Sequence, residues 1–185
     1  LSSELINTYL AETIKIAETV DRASISAVIA ELKTLKARGG RLFLLGVGGS
    51  AGNASHAVND FRKIAGIESY APSDNVSELT ARINDEGWDS CYSNWLKGSK
   101  LCCDDALFVF SVGGGSDTTS LNLVRAMELA RDVNAPVFSI VSRDGGKAKQ
   151  FSKVCILVPV IARERITPHA EAWQATLWHL IVNAI

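Results

Sequence analysis

The chain has 185 residues, 19 basic and 20 acidic side chains, a formal net charge of −1 and 47% hydrophobic residues. That length suits one domain, and the apolar content is enough to bury a core, so disorder is excluded. The near-neutral balance argues against nucleic-acid binding by bulk positive charge, and no apolar run reaches the roughly 18 residues that a membrane span needs. Four cysteines, with Cys102 and Cys103 adjacent, show no CxxC or Cys/His finger spacing, which excludes a zinc finger and a disulfide scaffold. They are read as reduced, in a cytoplasmic protein. Glu4, Glu12 and Lys15 interrupt the first apolar residues, so no signal peptide is expected, and the start at Leu1 rather than Met is read as trimming or processing.

The first forty residues form two amphipathic helices in this reading. Leu5, Ile6, Tyr9, Leu10, Ile14, Ala17 and Val20 recur at helical spacing, and Ile25, Val28, Ile29, Leu32 and Leu35 do so after Asp21, a predicted N-cap. Gly39-Gly40 ends the second helix. The period then changes. Residues 41–46, 106–110, 136–141 and 154–158 are short apolar runs of the kind buried on both faces of a parallel strand, and a further strand is expected around 67–71. Helices are expected near 51–64, 75–83, 88–97, 117–133, 146–151 and 168–183. This alternation predicts an α/β fold, a doubly wound parallel sheet with helices on both faces and a helical N-terminal extension. Residues 1–40 are read as the helical pair and 41–185 as the α/β part of the same domain.

Ligands of open parallel sheets bind at the carboxyl ends of the strands. Two Gly/Ser segments fall there, Gly46-Val47-Gly48-Gly49-Ser50-Ala51-Gly52-Asn53 and Ser111-Val112-Gly113-Gly114-Gly115-Ser116-Asp117-Thr118, each between a strand and a helix. Either alone reads equally well as a tight turn; together they point to a phosphate-bearing ligand held by backbone N–H groups and hydroxyls. Gly46, Gly48 and Ala51 also fit a dinucleotide fingerprint, with Glu68 downstream to hold a ribose, but that reading leaves the second loop unexplained. No basic cluster is evident to hold an anion.

Among three histidines, His56 lies four residues before Asp60, on one face of the helix that the first loop opens. Glu171 and His179, eight apart, share nearly one face of the last helix. Two imidazoles and two carboxylates make a ligand set that zinc accepts, yet a capped or solvated histidine is the commoner outcome, and spacing alone does not assemble the four. Trp173 and Trp178 are read as packing or interface residues, Trp88 and Trp95 as one face of a short helix, His169 equally as a residue approaching the site or as a capping or surface residue, and Arg163 and Arg165 as part of a solvated loop.

Taken together, the Leu45–Ser50 segment with His56 and Asp60, Asn84-Asp85-Glu86-Gly87, the Ser111–Ser116 loop, Asp144-Gly145-Gly146-Lys147 and the Glu171–His179 helix resemble the sugar isomerase (SIS) domain, and within it the phosphoheptose isomerases. The resemblance extends over nearly the whole chain. It implies a five-stranded parallel sheet in a homotetramer with sites at subunit interfaces. It implies zinc or a similar divalent ion on His56, Asp60, Glu171 and His179, no nucleotide cofactor, and a sugar phosphate on Gly48, Gly49, Ser50, Ser111, Gly113 and Ser116, approached by Asn84, Asp85 and Glu171. Asp60 is read as the catalytic base and His179 as the group that handles the hydroxyl proton or ring opening. Here the family's usual Glu is Asp60, its usual Gln is Glu171, its Asn before the first Gly pair is Val47, and its Ser-Thr-Ser-Gly loop is Ser111-Val112-Gly113-Gly114.

The implied activity is aldose–ketose isomerisation of a sugar phosphate through an enediol, with sedoheptulose 7-phosphate and D-glycero-D-manno-heptose 7-phosphate as the pair. The alternative is a non-catalytic SIS module that senses a sugar phosphate or scaffolds partners. Neither a nucleic acid nor a membrane is expected as partner.

Overall fold

A computed structural model describes residues 2–185. The first two helices, α1 (Ser2–Thr19) and α2 (Arg22–Ala37), meet at Asp21, whose carboxylate accepts the Ala23 and Ser24 N–H groups at 2.9 and 3.2 Å. Helix α2 buries Ile25, Val28, Leu32 and Leu35, whereas α1 buries only Glu12 and Ile16 and leaves Leu5, Ile6, Leu10 and Ile14 exposed.

Five parallel strands follow: β1 (Leu42–Leu45), β2 (Ser69–Tyr70), β3 (Ala106–Phe110), β4 (Val137–Val141) and β5 (Val154–Leu157), in the order β2-β1-β3-β4-β5. Every residue of β1, β3 and β4 is buried, because helices cover both faces. Leu42, Leu44, Phe108 and Phe110 face a core shared with α2, α3 (Gly49–Lys63) and α8 (Ile166–Asn183). Phe43, Leu45, Leu107 and Val109 face the other, built with α5 (Cys91–Gly98) and α6 (Leu121–Asp132). The remaining helices are α4 (Val76–Glu86) and the short α7 (Gly146–Phe151). Among the described residues no helix is long and apolar enough to cross a membrane.

The chain leaves β1 toward β2 and later returns to the opposite side of β1 to add β3, so the connections diverge between the carboxyl ends of β1 and β3. A crevice at such a reversal is where open α/β sheets place their ligands. Both Gly/Ser loops open onto it. One boundary differs from expectation: α6 starts at Leu121 rather than near 117, because a turn closed by Ser116 and a left-handed Ser120 (φ 54°) delay the helix. The second loop therefore runs from Ser111 to Ser120.

Candidate active site

The first loop is shaped by close backbone approach. A Cβ on Gly46 would stand 2.3 Å from the Ser50 carbonyl oxygen, so only glycine permits the turn into α3. Tyr92, on α5, donates its hydroxyl to the Gly46 carbonyl at 2.7 Å; burial pushes its phenol up to about 12, which keeps the group a neutral donor at ordinary pH. Gly48 takes φ +62° as α3 begins.

The second loop is held from within and from one neighbour. Ser111 Oγ accepts the Gly114 N–H at 3.0 Å, and Ser116 Oγ accepts those of Thr118 and Thr119 at 3.2 and 3.0 Å, leaving both hydroxyl protons free to donate. The segment after β4 interlocks with it. Gly114 (φ +74°) lies so close that a Cβ would meet the Gly145 oxygen at 2.0 Å, and a Cβ on Gly146 would meet the Gly113 oxygen at 2.3 Å. The first N–H groups of α7 are spent on this contact, with Lys147 and Ala148 donating to Gly115 and Gly114 carbonyls at 3.0 and 2.8 Å.

Between the loops lies a cavity of about 330 Å³, lined by Val47, Ser50, Ser111, Gly113, Ser116 and Arg143 among others. Gly48 and Gly49 lie between Val47 and Ser50 in the turn into α3 but do not themselves line it. Asn84 and Asp85 lie elsewhere, exposed near the end of α4 with the Asn84 amide donating to the Asp85 carboxylate at 2.7 Å, and neither lines the cavity.

Further along α3, His56 and Asp60 meet His179 of α8, which packs against α3. One donor atom from each lies within 4.8 Å of the others, and His179 Nε2 is 3.7 Å from Asp60 Oδ2. Six residues of helix rise separate Ser50 from His56, about 9 Å along the axis. Asp60 is 9% exposed and its Oδ1 accepts the Asn59 amide at 2.8 Å. His179 Nδ1 lies 2.7 Å from the Ala175 carbonyl. A carbonyl only accepts, so Nδ1 carries the proton and Nε2 presents its lone pair toward Asp60 in the neutral ring.

The floor under the two imidazoles is Trp178. It is fully buried, stacks on His179 with ring centroids 3.5 Å apart, and meets His56 at 4.8 Å. Asn53 ties the helices together, donating to the Glu171 carbonyl and to Gln174 Oε1 at 2.9 and 3.1 Å. The Glu171 carboxylate rests against Gly49, where a Cβ would be 2.5 Å from its Oε2, and does not join the three-donor cluster. Two imidazoles and one carboxylate, with room for a further ligand, fit an ion of the zinc type.

No protein-family model matches the chain. Its sequence is 29% identical to the phosphoheptose isomerase of Aliarcobacter butzleri over 193 aligned positions, covering 100% of this chain and 99% of the relative. The phosphoheptose isomerase structure from Neisseria gonorrhoeae superposes with a TM-score of 0.84 at 24% identity, covering 99% of this chain and 97% of that one. The corresponding structure from Francisella tularensis gives 0.84 at 20% identity, covering 100% and 97%. In sequence and in fold the chain is thus similar to the phosphoheptose isomerases.

Within this fold, several residues stand where the sequence reading did not put them. Glu68 precedes β2, level with Leu42 at the amino end of β1, so it sits at the opposite end of the sheet from Gly46–Gly48 and is not placed to hold a ribose there. His169 is buried, 2.8 Å from Glu12 and stacked on Tyr9, not at the surface. Arg165 forks onto the same Glu12 at 2.5 and 2.8 Å, so it anchors α8 to α1 instead of lying in a solvated loop. First the Arg165 guanidinium and then His169 hold the Glu12 carboxyl down to about 2. Arg143 is the charged residue missed at the cavity itself, where Thr119 and Ser120 were missed as well. Its position two residues past β4, at the carboxyl end of a strand, was the available signal.

Proposed function

We propose that the protein is an isomerase that interconverts sedoheptulose 7-phosphate and D-glycero-D-manno-heptose 7-phosphate through an enediol. The observation that carries this reading is the Asp60–His179 pair, facing at 3.7 Å between α3 and α8, with Asp60 on the helix that starts at a Gly/Ser-lined cavity. The phosphate occupies the cavity, held by Ser50, Ser111 and Ser116 and by backbone N–H groups of Gly48, Gly49 and Gly113. The carbonyl end of the sugar lies toward His56. Starting from the ketose, the Asp60 carboxylate takes the C1 proton and returns it to C2, while His179 Nε2 carries the hydroxyl proton from O1 to O2. Asp60 is suited to the first task because packing shields it and Asn59 fixes its orientation; His179 suits the second because its Nδ1 proton is committed to Ala175. A zinc-type ion held by His56, Asp60 and His179 would supply polarisation of the two substrate oxygens; since ligation and proton transfer need the same His179 Nε2 lone pair, Asp60 and His179 exchange the two roles as substrate binds. Glu171, whose carboxylate lies beside Gly49 and apart from the cluster, is assigned to the substrate, and the fourth position on the ion is left to another ligand.

The chain's own surface supports an assembly. Leu5, Ile6, Leu10 and Ile14 leave α1 with a bare apolar stripe, and the site residues His56 and His179 are open on a single chain. We assign residues 1–40 to homotetramer packing and 41–185 to sugar-phosphate binding, with Asn84 and Asp85 serving a site completed by another subunit. Four free thiols suit a cytoplasmic setting.

The test is a product assay on five-, six- and seven-carbon ketose phosphates, with and without chelator. Conversion of the seven-carbon substrate, lost with chelator and lowered about 10²- to 10⁴-fold in Asp60→Ala, is the expected result. No conversion of any substrate, or unchanged turnover in Asp60→Ala, overturns the reading. Tight binding without turnover would select the sensor.

A further inference from the structure

We infer that Arg143 is the phosphate-binding cation of this cavity and makes it selective for a phosphomonoester dianion. The inference rests on the sugar-phosphate reading above and adds to it the residue that meets the anion's charge.

Arg143 adopts φ +55°, a left-handed conformation that side chains other than glycine rarely take. Its neighbours enforce it. Ser142 donates its N–H to the Val112 carbonyl and its hydroxyl to the Val158 carbonyl, both at 2.9 Å. Gly145 N–H returns to the Ser142 carbonyl at 3.0 Å, and Asp144 Oδ1 accepts the Gly146 N–H at 3.1 Å. Strained backbone held by its surroundings points to a task for the side chain it presents. That side chain runs over Gly113 into the cavity, with Nη1 3.5 Å from where a Gly113 Cβ would stand.

The same contact accounts for Gly113. A Cβ there would be in ordinary contact with the guanidinium, so where the resemblance leads one to expect a hydroxyl, this chain has a glycine with an arginine lying over it. Lys147, on the same segment, already pairs with Asp117 at 2.8 Å. Among the described residues, no carboxylate lies within salt-bridge reach of Arg143. Ser111 and Ser116 supply single hydroxyl donors, whereas a guanidinium offers two parallel N–H groups that match two oxygens of one phosphoryl group. Such a fork favours a terminal dianion over a diester or an uncharged sugar.

The experiment compares wild type with Arg143→Ala, Arg143→Lys and Arg143→Gly. It measures inhibition by inorganic phosphate, KM and kcat for sedoheptulose 7-phosphate, and direct binding of both. Arg143→Ala is expected to weaken phosphate inhibition at least tenfold and to raise KM at least tenfold, with a smaller change in kcat and partial recovery in Arg143→Lys. Arg143→Gly keeps the left-handed backbone accessible, so it should bind as weakly as Arg143→Ala while melting at or above the wild-type temperature. That pairing separates lost binding from lost folding. If wild type isomerises the substrate and Arg143→Ala matches it in KM and phosphate inhibition, Arg143 is not the cation and the isomerase reading stands. If phosphate binds in an Arg143-dependent way and no sugar phosphate is converted, the cation stands and the isomerase reading falls.

Discussion

The two halves of the site are built by opposite means. His56, Asp60 and His179 project from two long helices, and what holds them is side chains: the Trp178 indole beneath both rings, and the Asn53 amide bridging α3 to α8. The cavity between the loops is held by backbone, with glycines at Gly114 and Gly146 pressed against carbonyl oxygens of the facing segment. Side-chain packing tolerates a change of shape at some cost, since neighbours repack. Backbone against backbone leaves nothing to move, so the loop half should be brittle and the helix half forgiving.

Replacing Gly114 by Ala is the severest way to break that contrast. A Cβ at φ +74° would meet the Gly145 oxygen, and the combined strain and overpacking should cost about 2–4 kcal/mol in denaturant unfolding. Phosphate affinity should fall with it, while cobalt binding to the His56–Asp60–His179 cluster, followed by visible absorption, should persist in the folded fraction. Loss of cobalt binding with phosphate binding intact would reverse the comparison. A milder probe is Tyr92→Phe, which removes the donor to the Gly46 carbonyl and should cost about 1–2 kcal/mol, read by thermal or chemical melting. An unchanged melt would mean that the Gly46 turn needs no outside support. The gentlest change acts on the helix half, where Glu12 secures the start of α8. Folding lowers this carboxyl from 4.5 to about 2, so its stabilising effect is full above about pH 4.5 and fades as pH falls toward 2. Glu12→Gln should therefore lower the melting temperature at pH 7 and flatten its decline between pH 5 and pH 2. A variant whose pH profile parallels wild type would remove Glu12 from the account.

Legibility in the sequence followed the same divide. Strands β1, β3 and β4 were plain because burial on both faces leaves continuous apolar runs, and Asp21 announced the start of α2 by its cap chemistry. His56 and Asp60 were placed on one face by helical spacing alone, whereas the approach of His179, more than a hundred residues away, came only through family resemblance. Arg143 was out of reach for a physical reason. Its partner across the cavity is Gly113, from a different strand, and nothing in a short polar stretch after β4 says which loop it will face. The late start of α6 was hidden likewise, since Ser116 competes with the helix for the Thr118 and Thr119 N–H groups by a local hydrogen bond that composition does not reveal.

The interlock of Gly113–Gly115 with Gly145–Gly146 has a consequence for how such a site can change. Residues 111–120 and 142–148 form a single inherited part, since each is the mould for the other. A loop grafted from a relative into one segment alone would thrust new atoms into a carbonyl of the segment left behind. Redesign toward a different phosphorylated substrate must therefore transplant both stretches together, or confine itself to a position such as Val47 that lines the space from the first loop and lies outside both stretches.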